Sequence, residues 1–369
     1  VRVDSLQASN FRNLREIGFS PSQGANIVYG DNAHGKTNLL EAIWLFTGAR
    51  SFRGSKDAEM VLAGENVTSL QIGFYAHQRA QTASIHFNEG KKRTLLNEIV
   101  MERTGDLAGA FCAVVFSPDH LSLVKQGPET RRKLLDVSLC QAYPKYMKVL
   151  EGYNKALRQR GFLLRDIFVH PELLDTLEVW DKVLCDYGSY ISWMRARYSL
   201  KLGRYAREIY DGISKGRERF QSTFVCSAGK IESGATRQDV RAIFEKKMAE
   251  NRQRDIRHAV TSAGCHRDDL DITVGGLSAR SFGSQGQQRS CILALKLAEC
   301  GILEERNGEP PVILLDDVMS ELDEGRRSYL LNQLTGKQVF ITCCDALSFS
   351  GLEGGSVFQM KNGQIRPEL

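Results

Sequence analysis

The run Gly30-Asp31-Asn32-Ala33-His34-Gly35-Lys36-Thr37 constrains this chain more than any other part of it. It satisfies the phosphate-binding loop pattern GxxxxGK[ST] in full, which a chain of this composition would match by chance about 2 times in 100. Context adds to the match. The strand-like run Asn26 to Tyr29 leads into the loop. From Lys36 the spacing of Leu39, Leu40, Ala42, Ile43, Leu45 and Phe46 predicts a helix to about Thr47, stopped by Gly48. A strand, a tight glycine loop and a helix aim several backbone N–H groups and the positive helix end at one spot, as a nucleoside triphosphate requires. Lys36 is placed to neutralise the β- and γ-phosphates, and the Thr37 hydroxyl to bind Mg²⁺. The loop implies an ATP or GTP site cradled by Gly30, Asp31, Asn32, Ala33, His34, Gly35, Lys36 and Thr37.

Such a site needs a second part, an apolar strand that ends in acids. Val312-Ile313-Leu314-Leu315-Asp316-Asp317 supplies it. Asp316 takes the metal role, since a carboxylate at the strand's end reaches Mg²⁺ through its water shell. Asp317, one residue on, is expected to orient or deprotonate the attacking water.

The 369 residues are 42% apolar and 25% charged, a globular balance that excludes a disordered, collagenous or coiled-coil chain. The length predicts two or three domains. No run approaches the ~18 uncharged apolar residues of a membrane span, and the first residues alternate like a strand instead of showing a signal pattern. The nine cysteines form no CxxC pair, which argues against a disulfide framework or a zinc site and for reduced thiols in the cytosol. The net charge of +5 is unevenly spread: Lys125 to Arg257 hold 27 Lys+Arg against 17 Asp+Glu, and the rest hold 22 against 27. A basic middle between mildly acidic flanks fits a polyanion-facing portion, although charge alone fits solvated helix faces equally well.

Along the chain, Val1 to Ala8, Gly18 to Tyr29, Val67 to Phe74, Ala83 to Phe87 and Arg93 to Val100 read as strands, with a hairpin turn at Asn88-Glu89-Gly90. Ala110 to Phe116 reads as a buried strand. From about Glu129 the spacing becomes helical, through Leu173 to Tyr210, and no heptad is expected to persist for three or four repeats. After about Gly264 the chain returns to short strands. The expected architecture is one α/β domain whose two halves flank a helical insertion.

Ser281-Phe282-Gly283-Ser284-Gln285-Gly286-Gln287-Gln288-Arg289 precedes a helix that runs to about Cys300. It looks like the ABC-type signature, usually Ser-Gly-Gly followed by Gln or Glu, with Gln285 in place of the middle glycine. Ser320-Glu321-Leu322-Asp323 resembles the D-loop of that class, and Thr342 stands where ABC proteins commonly carry a switch histidine. Further stretches are Asn10-Phe11-Arg12-Asn13-Leu14, Gly48-Ala49-Arg50-Ser51-Phe52-Arg53-Gly54, Phe116-Ser117-Pro118-Asp119 and Gly264-Cys265-His266-Arg267-Asp268-Asp269-Leu270. Together and in this order they resemble the bacterial RecF family of DNA replication and repair proteins.

The resemblance implies a P-loop ABC-type ATPase domain formed by both chain ends, residues 1–125 and 260–369, with a basic helical lobe, 126–259, inserted between them as the candidate for DNA contact and dimer formation. It implies a head like those of SMC and Rad50 without their long coiled coil, and an ATP-dependent homodimer on DNA that acts with RecO and RecR to load RecA. Ser284, Gly286 and Gln287 would then close on the γ-phosphate of ATP held at Lys36 of a second copy, with Mg²⁺ at Thr37 and Asp316. The protein would be bacterial, cytoplasmic and nucleoid-associated. Candidate DNA contacts are Arg131, Arg132, Lys133, Arg158, Arg160, Arg195 and Arg197, reading phosphates and not bases. Arg50 and Arg53 are placed to touch phosphate or the partner subunit, with a charge at a helix C-terminus as the competing reading. His266, Asp268 and Asp269 suit no closed metal-ligand set and read as a polar turn. The alternative is the nucleotide-binding subunit of an ABC membrane transporter. The long, basic insertion between Lys36 and the signature argues against it.

Overall fold

Two hydrophobic patterns build two sheets in the computed structural model, which describes residues 1–88, 90–121, 123–344 and 355–368. The continuous apolar runs Val312–Asp316 and Val339–Cys343 are buried at every position, as strands covered on both faces must be. They lie in a sheet ordered Gln364–Pro367, Ser356–Lys361, Ala25–Tyr29, Val339–Cys343, Val312–Asp316, Ala113–Phe116. All its pairs are parallel except the edge hairpin of Ser356–Lys361 with Gln364–Pro367. The alternating segments pair antiparallel instead, ordered Leu14–Phe19, Arg2–Phe11, Val67–Ala76, Arg79–Asn88, Lys91–Leu96, Ile99–Met101. Val67–Ala76 buries every second residue, one face to the core.

The run Arg93 to Val100, expected as one strand, is two. Asn97 and Glu98 take left-handed φ values of 49° and 68° and reverse the chain between Lys91–Leu96 and Ile99–Met101. Of the turn expected at Asn88-Glu89-Gly90, Glu89 lies outside the described residues. The strands on either side pair antiparallel. The helix after the phosphate loop runs Lys36–Trp44, tightens to a 3-10 turn over Leu45–Thr47 and ends at Gly48.

By packing, the chain divides into Val1–Ser122 with Ile292–Leu369, which holds both sheets, and Leu123–Cys291. The return of the chain to the first unit, expected at residue 260, therefore comes at Ile292. Strand pairing is the reason. Asp269–Val274 hydrogen-bonds to Phe220–Val225 along its whole length, in a three-stranded sheet completed by Leu277–Ser278. Phe220–Val225 is a strand where only helices were expected.

The second unit is otherwise built from the helices Pro128–Ala142, Pro144–Asp166, Leu174–Ser214 and Arg237–His258. Proline opens the first two, where its missing N–H costs nothing. Thr236 caps the last by accepting from Asp239 N, while the Asp239 carboxylate accepts from Thr236 N. The 41-residue helix Leu174–Ser214 buries Leu177, Leu184, Ile191 and Tyr198 on one face, with Gly188, Ser192 and Arg195 beside them. Among the described residues no helix is long and apolar enough to cross a membrane.

Candidate nucleotide-binding site

The phosphate loop leaves the C-terminal end of the Ala25–Tyr29 strand, and strand register decides what stands beside it. Val28 pairs with Thr342, and Thr342 with Asp316, so the ends of three neighbouring parallel strands converge. Ligands of open α/β sheets bind outside such carboxyl ends. Two glycines are obligatory in the loop. A Cβ at Gly30 would collide with the Met360 carbonyl oxygen, and one at Gly35, where φ is 110°, would come within 2.8 Å of Asn13 Oδ1.

Lys36 is buried, and its ammonium donates to the Gly30 carbonyl at 2.6 Å and the Asp31 carbonyl at 3.0 Å. Both partners are neutral, so among the described residues the charge lies over the loop without an ion pair. Thr37 Oγ1 donates to Asp316 Oδ1 at 2.8 Å, which joins the loop to the acidic strand. The Asp316 carboxylate also accepts from Thr342 Oγ1 at 3.0 Å. Burial, with Asp317 adjoining, pushes Asp316 above the usual carboxylate range although the two hydroxyls and Arg53 oppose the shift. A buried carboxylate whose hydrogen-bond partners among the described residues are two hydroxyls is a fit for a hard cation, and Thr37 and Asp316 offer oxygen donors of the kind Mg²⁺ takes.

Asp317 sits at φ 52°, a left-handed conformation unusual outside glycine and associated with functional positions. Its N–H donates to Thr342 Oγ1 at 2.9 Å, so the threonine at the switch position clamps both acids through one hydroxyl. Ser320 Oγ donates to the Asp317 carbonyl at 2.8 Å. Asp323 caps the helix Glu324–Gln333.

A scaffold that motif reading missed holds the loop from behind. Glu41, fully buried on the Lys36–Trp44 helix, accepts from Arg12 Nε at 3.0 Å and Nη2 at 2.9 Å, and from the Ser51 hydroxyl. Arg53 Nη1 donates to Asn38 Oδ1 at 2.9 Å, Asn38 Nδ2 to Asn13 Oδ1 at 2.8 Å, and Asn13 Nδ2 to the Ala33 carbonyl at 3.0 Å. Arg53 is therefore tied to the loop's support, and Arg50, also considered for phosphate, has an exposed side chain. A lone acid among the apolar residues Leu39 to Trp44 was the signal available for this network.

The signature residues belong to the second unit. Ser284 caps the helix Gln285–Asn307: Ser284 N donates to Gln287 Oε1 at 2.8 Å, and Gln287 N to Ser284 Oγ at 3.1 Å. Ser284 is exposed, and Gln285 occupies the first helical position.

Comparison with known proteins agrees with this geometry. The family model described as RecF/RecN/SMC N terminal domain matches residues 2–365. The DNA replication and repair protein RecF of Agathobacter rectalis is 37% identical over 366 residues, covering 98% of each chain. This chain belongs to the RecF family. The RecF of Acetivibrio thermocellus is likewise 37% identical, covering 96% of each chain. A solved structure of the recombination mediator protein RecF with ATPrS in the RecFOR pathway superposes with a TM-score of 0.93 at 35% identity, over all of this chain and 98% of that one. An SMC head bound to a winged-helix domain of ScpA shares the fold, with a TM-score of 0.58 at 14% identity.

For this RecF-family chain, three candidate DNA contacts are corrected. Arg131, Arg160 and Arg195 are 4%, 0% and 2% exposed and face carboxylates within their own unit. Arg131 grips Asp269 through Nε at 2.7 Å and Nη2 at 2.8 Å. Arg160 reaches Asp181 at 2.7 Å and Asp255 at 2.8 Å. Arg195 holds Asp136 through Nε at 2.9 Å and Nη2 at 2.8 Å, and Asp268 at 3.2 Å. Arg132 is half-buried and donates to the Asp268 carbonyl, leaving Lys133, Arg158 and Arg197 as exposed candidates. The stretch His266 to Asp269 is the hub of this seam. Tyr153 Oη lies 2.7 Å from His266 Nδ1, and Asp268 accepts from Ser192 at 2.6 Å and Ser227 N at 2.9 Å.

Proposed function

We propose that this chain is an ATP-dependent DNA-binding protein of recombinational repair and replication-fork maintenance, in which ATP closes a homodimer and slow hydrolysis reopens it. One observation carries the reading. The phosphate loop with its acids belongs to one unit, and an exposed signature serine, whose hydroxyl proton has no acceptor among the described residues, belongs to the other. Two copies related by a two-fold axis would set Ser284, Gly286 and Gln287 of each against the γ-phosphate held at Lys36 of the other.

Within that composite site, Lys36 exchanges two carbonyls for phosphate oxygens. Mg²⁺ bound at Thr37 and Asp316 would neutralise charge that develops on the phosphates. Asp317 orients the attacking water. It is one methylene shorter than the glutamate usual in ABC ATPases, which supports slow turnover and a timing role. The basic unit offers Lys133, Arg158 and Arg197 to phosphates of single-stranded, double-stranded or gapped DNA. Kinship with proteins of the RecFOR pathway supports RecR and RecO as partners, RecA as the downstream beneficiary, a part in the SOS response, and a place on the nucleoid in the bacterial cytoplasm.

The test is Asp317→Asn in saturating ATP and Mg²⁺. The variant should accumulate as a dimer in sedimentation, and labelled DNA should show higher anisotropy with nucleotide than without. A variant that stays monomeric under those conditions would sink the reading.

A further inference from the structure

We infer that Glu218 is a positioning residue for the signature serine, fixing it from the long helix through a chain of hydrogen bonds; the inference rests on the composite-site reading above. Gln287 is the pivot. Its Oε1 accepts from Ser284 N at 2.8 Å, and its Nε2 donates to Glu218 Oε1 at 2.7 Å. The other Glu218 oxygen accepts from Tyr210 Oη at 2.7 Å. Tyr210 is fully buried on the Leu174–Ser214 helix and stacks on Phe220, with ring centroids 5.4 Å apart.

The chemistry of the pivot makes Glu218 specific. An amide has one acceptor end and one donor end. A carboxylate at position 218 accepts only, so it fixes the Gln287 donor end toward itself and the acceptor end toward Ser284 N. That orientation completes the capping box, in which Ser284 Oγ accepts from Gln287 N at 3.1 Å. With its lone pair so engaged, the serine hydroxyl points its proton outward, beside the first-turn N–H groups that have no partner inside the helix. This is the donor arrangement an anion from a second subunit would meet.

The surrounding backbone leads to the same place. Phe220 pairs with Val274, Gly275 N donates to the Arg219 carbonyl at 2.9 Å, and Gln288 Nε2 donates to the Ala279 carbonyl at 2.9 Å. Glu218 thus stands where the strand that leads to the signature meets the helix that carries the basic surface. In the sequence it is one more acid in a charged run, Lys215 to Arg219, with no motif around it.

The experiment measures self-association of the full chain by sedimentation, with Mg²⁺ and a slowly hydrolysed ATP analogue, for the unmodified chain, Ser284→Arg, Glu218→Leu, Glu218→Gln and Tyr210→Phe. Glu218→Leu removes the acceptor that Gln287 Nε2 meets and leaves the amide free to turn over and break the capping box. The dimer dissociation constant should rise at least about tenfold, the scale of a lost charge-assisted hydrogen bond. Nucleotide affinity of the monomer should stay within about twofold, a change of ~0.4 kcal/mol. Glu218→Gln keeps one acceptor, since its amide can turn its oxygen to Gln287 and its donor to the Tyr210 oxygen, and should recover most of the association, which a merely structural role of the charge would not predict. Tyr210→Phe should give a smaller rise than Glu218→Leu and stands in if that variant folds poorly. Wild-type association in Glu218→Leu, or association in Glu218→Gln no better than in Glu218→Leu, overturns the inference. If Ser284→Arg also associates normally, the composite-site reading has failed and takes the inference with it; if Ser284→Arg is monomeric while Glu218→Leu is not, only the role of Glu218 has failed.

Discussion

The nucleotide site and the ionic seam of the helical unit both bury charge, and they treat it in opposite ways. At the site, Lys36 rests on two carbonyls and Asp316 on two hydroxyls, neutral hydrogen-bond partners that among the described residues form no ion pair with either charge. In the seam, Arg131, Arg160 and Arg195 each face one or two carboxylates at hydrogen-bond distance. A buried charge with neutral partners is poised for a ligand of opposite sign, whereas one matched by an opposite charge is already spent on the fold. Glu41 with Arg12 shows that the first unit also uses the second arrangement, behind its loop and not in it.

Substitution should separate the two kinds. Arg195→Met strands Asp136 and Asp268 without their cation, and breaking a buried pair in this way costs about 3–5 kcal/mol. Urea unfolding followed by tryptophan fluorescence reports it, because Trp180 and Trp193 lie in the second unit. A loss below about 1 kcal/mol would remove the distinction. Asp316→Asn should do the reverse. ATP turnover should fall about a hundred- to a thousandfold, the scale of a lost electrostatic contact to the transition state. Stability should hold or rise, since burial already penalises the ionised carboxylate. An Asp316→Asn chain that unfolds as readily as Arg195→Met would show that Asp316 is structural.

The same contrast explains what the sequence makes legible. The loop and its acids are contiguous runs at the ends of strands, so Gly30 to Thr37 and Val312 to Asp317 announce both the chemistry and the parallel sheet. Thr342 carries no such mark. Its role follows from a strand order that places Val339–Cys343 between the other two, which no local pattern reveals. The seam is hidden for a related reason. Arg195 and Asp268 are distant in the chain, and an arginine on a helix reads as surface until its partner's position is known. The unit boundary at Ile292 likewise depends on Phe220–Val225 pairing with Asp269–Val274 across the intervening Arg237–His258 helix.

His266 offers a titration that belongs to the seam alone. Its Nδ1 accepts from Tyr153 and its Nε2 donates to the Thr261 carbonyl, which suits the neutral ring. Burial, helped by Arg267, Arg132 and Arg160, lowers its pKa to about 4 from 6.5. The unfolded chain therefore takes up the proton first as pH falls. Stability from this group is complete above pH 6.5, declines between pH 6.5 and about 4, and is then constant. The full decline is on the order of 3 kcal/mol. Asp268, which burial pushes above the carboxylate range, works with the opposite sign at the acid end. It is common to both proteins, so the difference between wild type and His266→Gln isolates the histidine. Denaturant midpoints at pH 7 and pH 4.5 should diverge less in His266→Gln; an unchanged divergence would mean that the ring is already accessible to water.

The smallest stability effects should fall on Lys133, Arg158 and Arg197, and there the comparison is sharpest. All three are exposed, and Arg197 lies over the Trp193 ring at 4.9 Å, so its alanine variant loses a surface contact and no buried partner. Each alanine substitution should change stability by no more than about 0.5 kcal/mol. If these side chains meet phosphate, each should also lower the steepness of the salt dependence of DNA binding, in a log–log plot, by about one. Arg131→Ala is the control from the buried class. It should leave Asp269 unpaired and lower stability, and any loss of DNA binding should track the unfolded fraction without a change in the salt slope. An unchanged slope in all three exposed variants would move the DNA-facing surface elsewhere on the chain. A changed slope in Arg131→Ala, at a temperature where it remains folded, would mean that buried pairs open to meet the polyanion, and the division between spent and available charge would not hold for this unit.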